Sequence, residues 1–233
     1  MRYAIMSDVH AYLPALEKVI ADAQSQSVDR LVMLGDMVGN GPSNPHDVLE
    51  LCMRRFDLAV IGNQEVDYIS RASGSTDRRD LWLRSLPDLE VEGDLAFTHR
   101  GLSKKNGKMI AGFGYTFDPA TAQVSFDAMD ESIRIAFIGH THESIVWGCD
   151  ASGQVTAISC DVVTTDPTMR YIVNVGSVGY PRSEDKSSYV VYDSDSRLII
   201  FRRLEFDFES YRTELELRGI EIPAWLSAKM ITR

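Results

Sequence analysis

Five short apolar runs in this chain each end on a residue type that ligates metals: Ile5-Met6-Ser7-Asp8-Val9-His10, Leu34-Gly35-Asp36, Ile61-Gly62-Asn63, Phe97-Thr98-His99 and Ile138-Gly139-His140-Thr141-His142. Runs of this kind suit buried strands, and a glycine near a strand end lets the backbone turn sharply and approach an ion or ligand. A fold that satisfies all five must bring ligands from distant sequence to one sheet edge. The residue types gathered there are those a two-metal hydrolytic centre needs.

A chain of 233 residues with 44% hydrophobic and 25% charged residues is ordinary for an α/β or α+β protein with a substantial core. We expect a single domain over residues 1–233, with a helical tail from about 207 to 233. No repeat or low-complexity tract is visible. No apolar run approaches the ~18 residues of a membrane span. Asp8 interrupts the N-terminal apolar stretch before it could serve as a signal peptide, so the expected location is the cytoplasm. Cys52, Cys149 and Cys160 lack any C-x-x-C spacing and are odd in number, which suggests neither a disulfide framework nor a structural zinc site. The 24 basic and 34 acidic residues give a net charge of −10, which disfavours nucleic-acid binding through a broad basic face and leaves a small phosphate ester compatible.

Strand and helix alternate in the first half. An apolar run at 3–6 precedes a helical stretch at 13–23, where Pro14 fits the first turn and Leu16, Val19, Ile20 and Ala23 recur at helical spacing. A strand at 30–34, a helix starting near Asn44-Pro45 with Val48, Leu49 and Cys52 buried, and a strand at 58–61 complete a βαβαβ order, which predicts a parallel sheet. Right-handed crossovers place the loops bearing Asp8, Asp36 and Asn63 on one edge. After Asn63 we expect a helical insertion with Trp82, Leu83 and Leu86 apolar, ending at Pro87. Strands are then expected at 95–98, 134–138, 145–147, 155–159, 171–174, 189–192 and 198–203, read as a second sheet. A helix at 207–219 and a further turn at 223–229 carry many apolar residues, which pack over a sheet edge or form a subunit contact.

The ordered pieces resemble the calcineurin-like metallophosphoesterase superfamily, whose blocks read Asp-x-His, Gly-Asp-x-x-Gly, Gly-Asn-His-Asp/Glu, a lone His and Gly-His-x-His. Here they stand as Asp8-Val9-His10, Gly35-Asp36-Met37-Val38-Gly39, Gly62-Asn63-Gln64-Glu65, His99 and Gly139-His140-Thr141-His142, followed by Asn174-Val175-Gly176-Ser177. The stretch Gly35 to Pro42 looks like the bacterial phosphodiesterase or diadenosine tetraphosphatase-related branch, with Asn40 in place of that branch's Tyr. The resemblance implies a two-sheet αββα sandwich of mixed sheets flanked by helices. It also implies one divalent metal held by Asp8, His10, Asp36 and His142 and another by Asp36, Asn63, His99 and His140, with Asp36 bridging.

An oxygen and nitrogen ligand set without thiolates suits Mn or Fe, with Zn, Co, Ni or Mg as other candidates. Two such ions lower the pKa of a shared water and orient a phosphate for in-line attack by hydroxide. Catalytic candidates are Asp36, Asn63, Gln64 and Glu65. Gln64 stands where the family most often has its catalytic His, and a carboxamide cannot transfer a proton at accessible pH, so esters with good leaving groups are the expected substrates. Glu65 either hydrogen-bonds Gln64 or caps the following helix. Arg182, in a segment resembling the family's Asn-Pro-Gly-Ser stretch with Val175 replacing the Pro, and Arg100 are candidate phosphate contacts. Arg100, Lys104 and Lys105 form a basic patch on an expected loop at the site mouth. His46 lies outside every block.

The leading expectation is a dinuclear phosphoesterase acting on a phosphodiester or phosphoanhydride, with a small phosphate ester or nucleotide such as a dinucleoside polyphosphate as substrate. The alternatives are a phosphomonoesterase of the same fold, a non-catalytic metal-binding interaction scaffold, and a short-substrate nuclease, against which the net charge weighs. A homo-oligomer through the C-terminal tail is a further expectation.

Overall fold

The computed structural model describes residues 1–181 and 185–231. Strand β1 (Arg2–Met6), helix α1 (Leu13–Ser25), β2 (Arg30–Met33), α2 (Pro45–Arg55) and β3 (Leu58–Ala59) form the expected βαβαβ unit, with β1, β2 and β3 parallel. Pro14 sits in the first turn of α1, where its missing N–H would have had no partner, and Ala15, Leu16, Val19, Ile20 and Ala23 make the buried stripe. The Asn44 side chain caps α2 by accepting from the His46 N–H, and Asp47 and Arg54/Arg55 match the two ends of the helix dipole.

Two helices, α3 (Asn63–Arg71) and α4 (Arg78–Ser85), make up the insertion. Then come β4 (Leu89–Glu92), β5 (Leu95–Thr98), the hairpin β6 (Leu102–Lys105) and β7 (Lys108–Ala111), α5 (Pro119–Ala128), β8 (Ile135–Ile138), β9 (Ser144–Cys149), β10 (Val155–Ile158), β11 (Val162–Thr164), β12 (Arg170–Val175), β13 (Lys186–Asp193) and β14 (Leu198–Glu205). Helices α6 (Phe208–Leu217) and α7 (Ala224–Ile231) end the described chain.

One six-stranded sheet runs β11-β14-β13-β1-β2-β3 and the other β10-β9-β12-β8-β5-β4. Alternation along each strand builds three apolar layers. Tyr3 and Ile5 of β1 face Phe97, Phe137 and Val173 of the second sheet in the central layer. Ala4 and Met6 point the other way, to Leu16, Val19, Val48 and Leu49 of α1 and α2. Ala136, Ile138 and Ile172 cover the far face with Phe126 of α5. This is the αββα sandwich with mixed sheets, stabilised by burial on both faces of each sheet.

The sequence reading assigned all late strands to the second sheet, whereas β13 and β14 join the first. β13 pairs antiparallel with β1, Tyr3 opposite Tyr192, and carries buried residues on both faces, as a central strand must. The tail folds back: Phe206, Phe208, Tyr211, Leu215 and Leu226 are buried in the same cluster as Tyr12 and Leu16. Among the described residues no helix is long and apolar enough to cross a membrane.

Candidate metal centre

The parallel strands deliver their C-terminal ends to one edge. Asp8 and His10 follow β1, Asp36 follows β2, Asn63 opens α3 just after β3, His99 follows β5, and His140 and His142 follow β8. Five of these residues turn the chain in the left-handed region: Asp8 at φ 58°, His10 at 46°, Asp36 at 52°, His140 at 72° and His142 at 65°. Asp, Asn and His tolerate that region better than most side chains, but it persists only where the surroundings hold it. Here the hold is a set of cross-loop hydrogen bonds. Asp8 N–H donates to the Gly35 carbonyl at 3.1 Å and His10 N–H to the Asp36 carbonyl at 2.9 Å. His140 N–H donates to Asp8 Oδ2 at 2.9 Å.

The donors fall into two groups, Asp8 with His10 and His142, and Asp36 with His99 and His140; within each group the facing atoms lie within 4.8 Å of one another. In the first, His142 Nε2 is 3.1 Å from both Asp8 Oδ1 and His10 Nε2. In the second, His99 Nε2 is 3.3 Å from Asp36 Oδ1 and 3.1 Å from Asn63 Oδ1. Asp36 spans the two, since its Oδ2 is 3.8 Å from His10 Nε2. All seven residues expected as ligands are therefore brought together.

The outward nitrogens define how the imidazoles present themselves. His142 Nδ1 donates to the Tyr180 carbonyl at 2.8 Å and His99 Nδ1 to the Leu34 carbonyl at 2.8 Å. A carbonyl only accepts, so Nδ1 carries the hydrogen and Nε2 is left to face the cluster, the arrangement that metal-ligating histidines adopt. His140 Nε2 is buried with no hydrogen-bond partner, and buried Asp8 Oδ1 makes no hydrogen bond beyond its 3.1 Å approach to His142 Nε2. Orphaned buried donor atoms are costly in the absence of a cation, and one cation in each group would satisfy them. The donor set thus fits two divalent ions.

Without a cation, the carboxylates and imidazoles of the cluster balance one another's charge. Burial alone would raise Asp8, but His142 and His10 beside it hold its carboxyl well below the usual range. Burial likewise opposes ionisation of Asp36, and His99 outweighs it. Burial lowers His99 while the Asp36 carboxylate lifts it further, to about 9. His140 is pushed down to about 4 by burial and by its neighbours His99 and Arg100.

Two close approaches fix the loops. A Cβ on Gly62 would meet Asp36 Oδ1 at 2.2 Å, and one on Gly35 would meet Gly62 N at 2.5 Å, so both positions admit only glycine. Glu65 is wholly buried. Its Oε2 accepts from the N–H groups of Asp36 at 2.7 Å and Gly62 at 2.8 Å, and its Oε1 from Val38 N–H at 3.0 Å. Of the two roles expected for Glu65, the helix cap is present, and it extends to the Asp36 loop. Burial and the Asp36 carboxylate push its pKa up to about 7, against the pull of those amides.

Gln64 N–H donates to Asp36 Oδ1 at 2.9 Å. Its carboxamide lies on the His10 side: a Cβ on Gly39 would sit 2.8 Å from His10 Nδ1 and 3.4 Å from Gln64 Oε1. A cavity of about 690 Å³ opens beside Asn63 and His99, and Arg100 and Lys105 line it. Lys104 and Lys105 stand on a strand of the β6–β7 hairpin, not on the loop expected from sequence. Arg182 lies outside the described residues. His46 Nε2 bonds the Tyr68 hydroxyl at 3.1 Å, away from the centre. Sequence reasoning missed two neighbours: Tyr180, whose ring lies 5.0 Å from that of His10, and Tyr115, whose ring stacks on His140 at 4.1 Å. The flanking Gly residues of Gly112-Phe113-Gly114-Tyr115 were the available signal for a loop presenting aromatics.

Residues 1–197 match the family described as the Calcineurin-like phosphoesterase superfamily domain. An uncharacterized protein of Methanocaldococcus jannaschii is 27% identical over 249 aligned positions, covering 97% of this chain and 96% of that protein. The crystal structure of a metallophosphoesterase from Sphaerobacter thermophilus superposes with a TM-score of 0.80 at 29% identity, covering 97% of each chain. A structure described as a novel archaeal phosphodiesterase shares the fold at a TM-score of 0.52 and 17% identity, covering 88% of this chain and 100% of that one.

Proposed function

Because this chain belongs to the calcineurin-like phosphoesterase superfamily, we propose that it is a dinuclear-metal hydrolase of a phosphodiester or phosphoanhydride. Asp8, His10, Asp36 and His142 hold one ion in this reading, and Asp36, Asn63, His99 and His140 the other. The observation that carries it is the placement of Asp36, with Oδ2 toward His10 and Oδ1 toward His99. Two divalent ions there, Mn or Fe by donor type, would lower the pKa of a water and neutralise charge on the phosphate.

The chain's own residues then divide the remaining work. Asn63 contributes a neutral oxygen, which keeps the second group less anionic than a carboxylate would. Arg100, half-buried on the cavity lining, offers a guanidinium whose fork of N–H donors matches two phosphate oxygens. Gln64 donates a hydrogen bond and no proton, so leaving groups that depart as stable anions are favoured. Glu65 acts as a positioning residue, because both its oxygens are engaged by backbone amides.

Metal analysis of the purified protein, coupled to Mn²⁺-supplemented turnover of bis-p-nitrophenyl phosphate and p-nitrophenyl phosphate, tests the proposal. Near two metals per chain and faster diester turnover, with both reduced in Asp36→Asn, is the expected result. Full metal content and activity in Asp36→Asn would overturn it.

A further inference from the structure

The chain holds 3 Trp, 9 Tyr and 9 Phe, and those exposed to solvent are confined to one loop: Phe113 at 82%, Tyr115 and Phe117 at 51% each. Every other aromatic is buried or half-buried. Exposed aromatics gathered at alternate positions of one segment mark a binding surface more often than chance packing does. The loop's position says what surface it is. Tyr115 lies over His140 with ring centroids 4.1 Å apart and planes 24° from parallel, so one of its ends is fixed to a residue of the metal centre. Phe117 continues the stack on Tyr115 at 5.1 Å and 8°. Phe113 lines the cavity that opens at Asn63 and His99.

That cavity, about 690 Å³, falls within the range that takes a small organic ligand. Ile61, Val66, Leu89 and Ile110 give it apolar walls, and its charged lining residues are Arg100 and Lys105 together with Asp67 and Asp88. A substituent extending into this cavity from a phosphate held beside Asn63 and His99 would meet apolar walls and the Phe113 ring. Purely aliphatic substituents gain little from exposed ring faces, whereas a flat heteroaromatic ring gains stacking from each.

We propose that Phe113 is a stacking platform for the base of a nucleotide-type substrate, a specificity element of the phosphoesterase site proposed above and resting on that reading. The platform selects the group attached to the phosphate and takes no part in bond cleavage.

The test compares ligands that share a phosphate and differ in the base. Calorimetric titration of the Mn²⁺-loaded protein with 5′-AMP and with ribose 5-phosphate is expected to give roughly ten-fold or more tighter binding of AMP, as one stacked base provides. Phe113→Ala should shrink that gap and Phe113→Tyr should keep it, because the ring face provides the stacking. Equal affinity for the two ligands, AMP binding too weak to detect, or a gap unchanged in Phe113→Ala overturns the platform. In parallel, kcat/KM is measured for thymidine 5′-(p-nitrophenyl) phosphate and methyl p-nitrophenyl phosphate, which release the same leaving group. A base preference in binding without turnover of either ester upholds the platform and sinks the phosphoesterase reading. Equal turnover of both esters without a binding gap does the reverse.

Discussion

The Glu65 carboxylate accepts the backbone N–H of Asp36 at 2.7 Å, so a buried acid in the first turn of α3 holds the backbone of the residue that lies between the two donor groups. The same oxygen serves Gly62 N–H and the other serves Val38 N–H. The β2 and β3 loops are thereby joined through one side chain.

Glu65→Ala leaves those three N–H groups buried without acceptors. Unsatisfied buried donors carry penalties of ~1–3 kcal/mol each, and partial relaxation brings the expected loss to about 3 kcal/mol, or roughly 6–12 °C in Tm for a chain of this size. Metal content should fall with it. A calorimetric scan within about 2 °C of wild type would mean that the two loops do not depend on this bridge.

Gln64→His tests the missing proton donor. General acid catalysis is typically worth ~10²–10⁴ in rate for poor leaving groups and much less for good ones. The ratio of alkyl-ester to p-nitrophenyl-ester turnover should therefore rise at least about ten-fold. An unchanged ratio would show that position 64 does not reach the leaving oxygen.

Removing metal should destabilise the fold, because a native-state ligand contributes RT ln(1 + [L]/Kd), ~2.7 kcal/mol at one hundred times Kd. Dialysis against a chelator is expected to lower Tm by about 5–10 °C, reversed by Mn²⁺. Identical melting curves with and without chelator would argue that the donor clusters hold no ion.

Acid sensitivity is predicted where α1 meets the first sheet. Asp22 on α1 accepts from Arg202 Nε at 3.1 Å and Nη2 at 3.0 Å and from the Tyr189 hydroxyl at 2.7 Å, tying the helix to β13 and β14. Burial would raise its pKa, but the bonds from Arg202 and Tyr189 outweigh it and lower it below 3.8. A depressed carboxylate contributes stability above its unfolded value and loses it as pH falls through the folded one. Melting curves of wild type and Asp22→Asn should differ at neutral pH and converge as pH drops below about 3.8. A gap that stays constant down to pH ~2 would exclude this linkage.

Much of this was readable before the fold was known, for identifiable reasons. The ligands sit at strand ends in short motifs, and the βαβαβ order fixes where three of those ends go. The β6–β7 hairpin was legible but not read: Asn106 and Gly107, at φ 53° and 77°, are the Asn-Gly pair that a tight hairpin turn favours. Helix α5 likewise carries a cap, Asp118, whose side chain accepts from Thr121 N–H. The assignment of β13 and β14 to the first sheet had no local signal, because pairing of Tyr192 with Tyr3 is decided by contacts far apart in sequence. Glu65's reach to Asp36 was hidden for the same reason.

The pairing of His10 with His142 joins residues 132 positions apart. Contacts of that separation require a long loop to close, so we expect them to form late in folding. Until both sheets have docked, neither ion-binding group exists, and the unfolded chain offers only scattered carboxylates and imidazoles. Interactions absent from the folding transition state act on the rate of unfolding. Ions bound there should therefore lengthen the lifetime of the native protein while leaving its folding rate almost untouched, making the centre a kinetic lock.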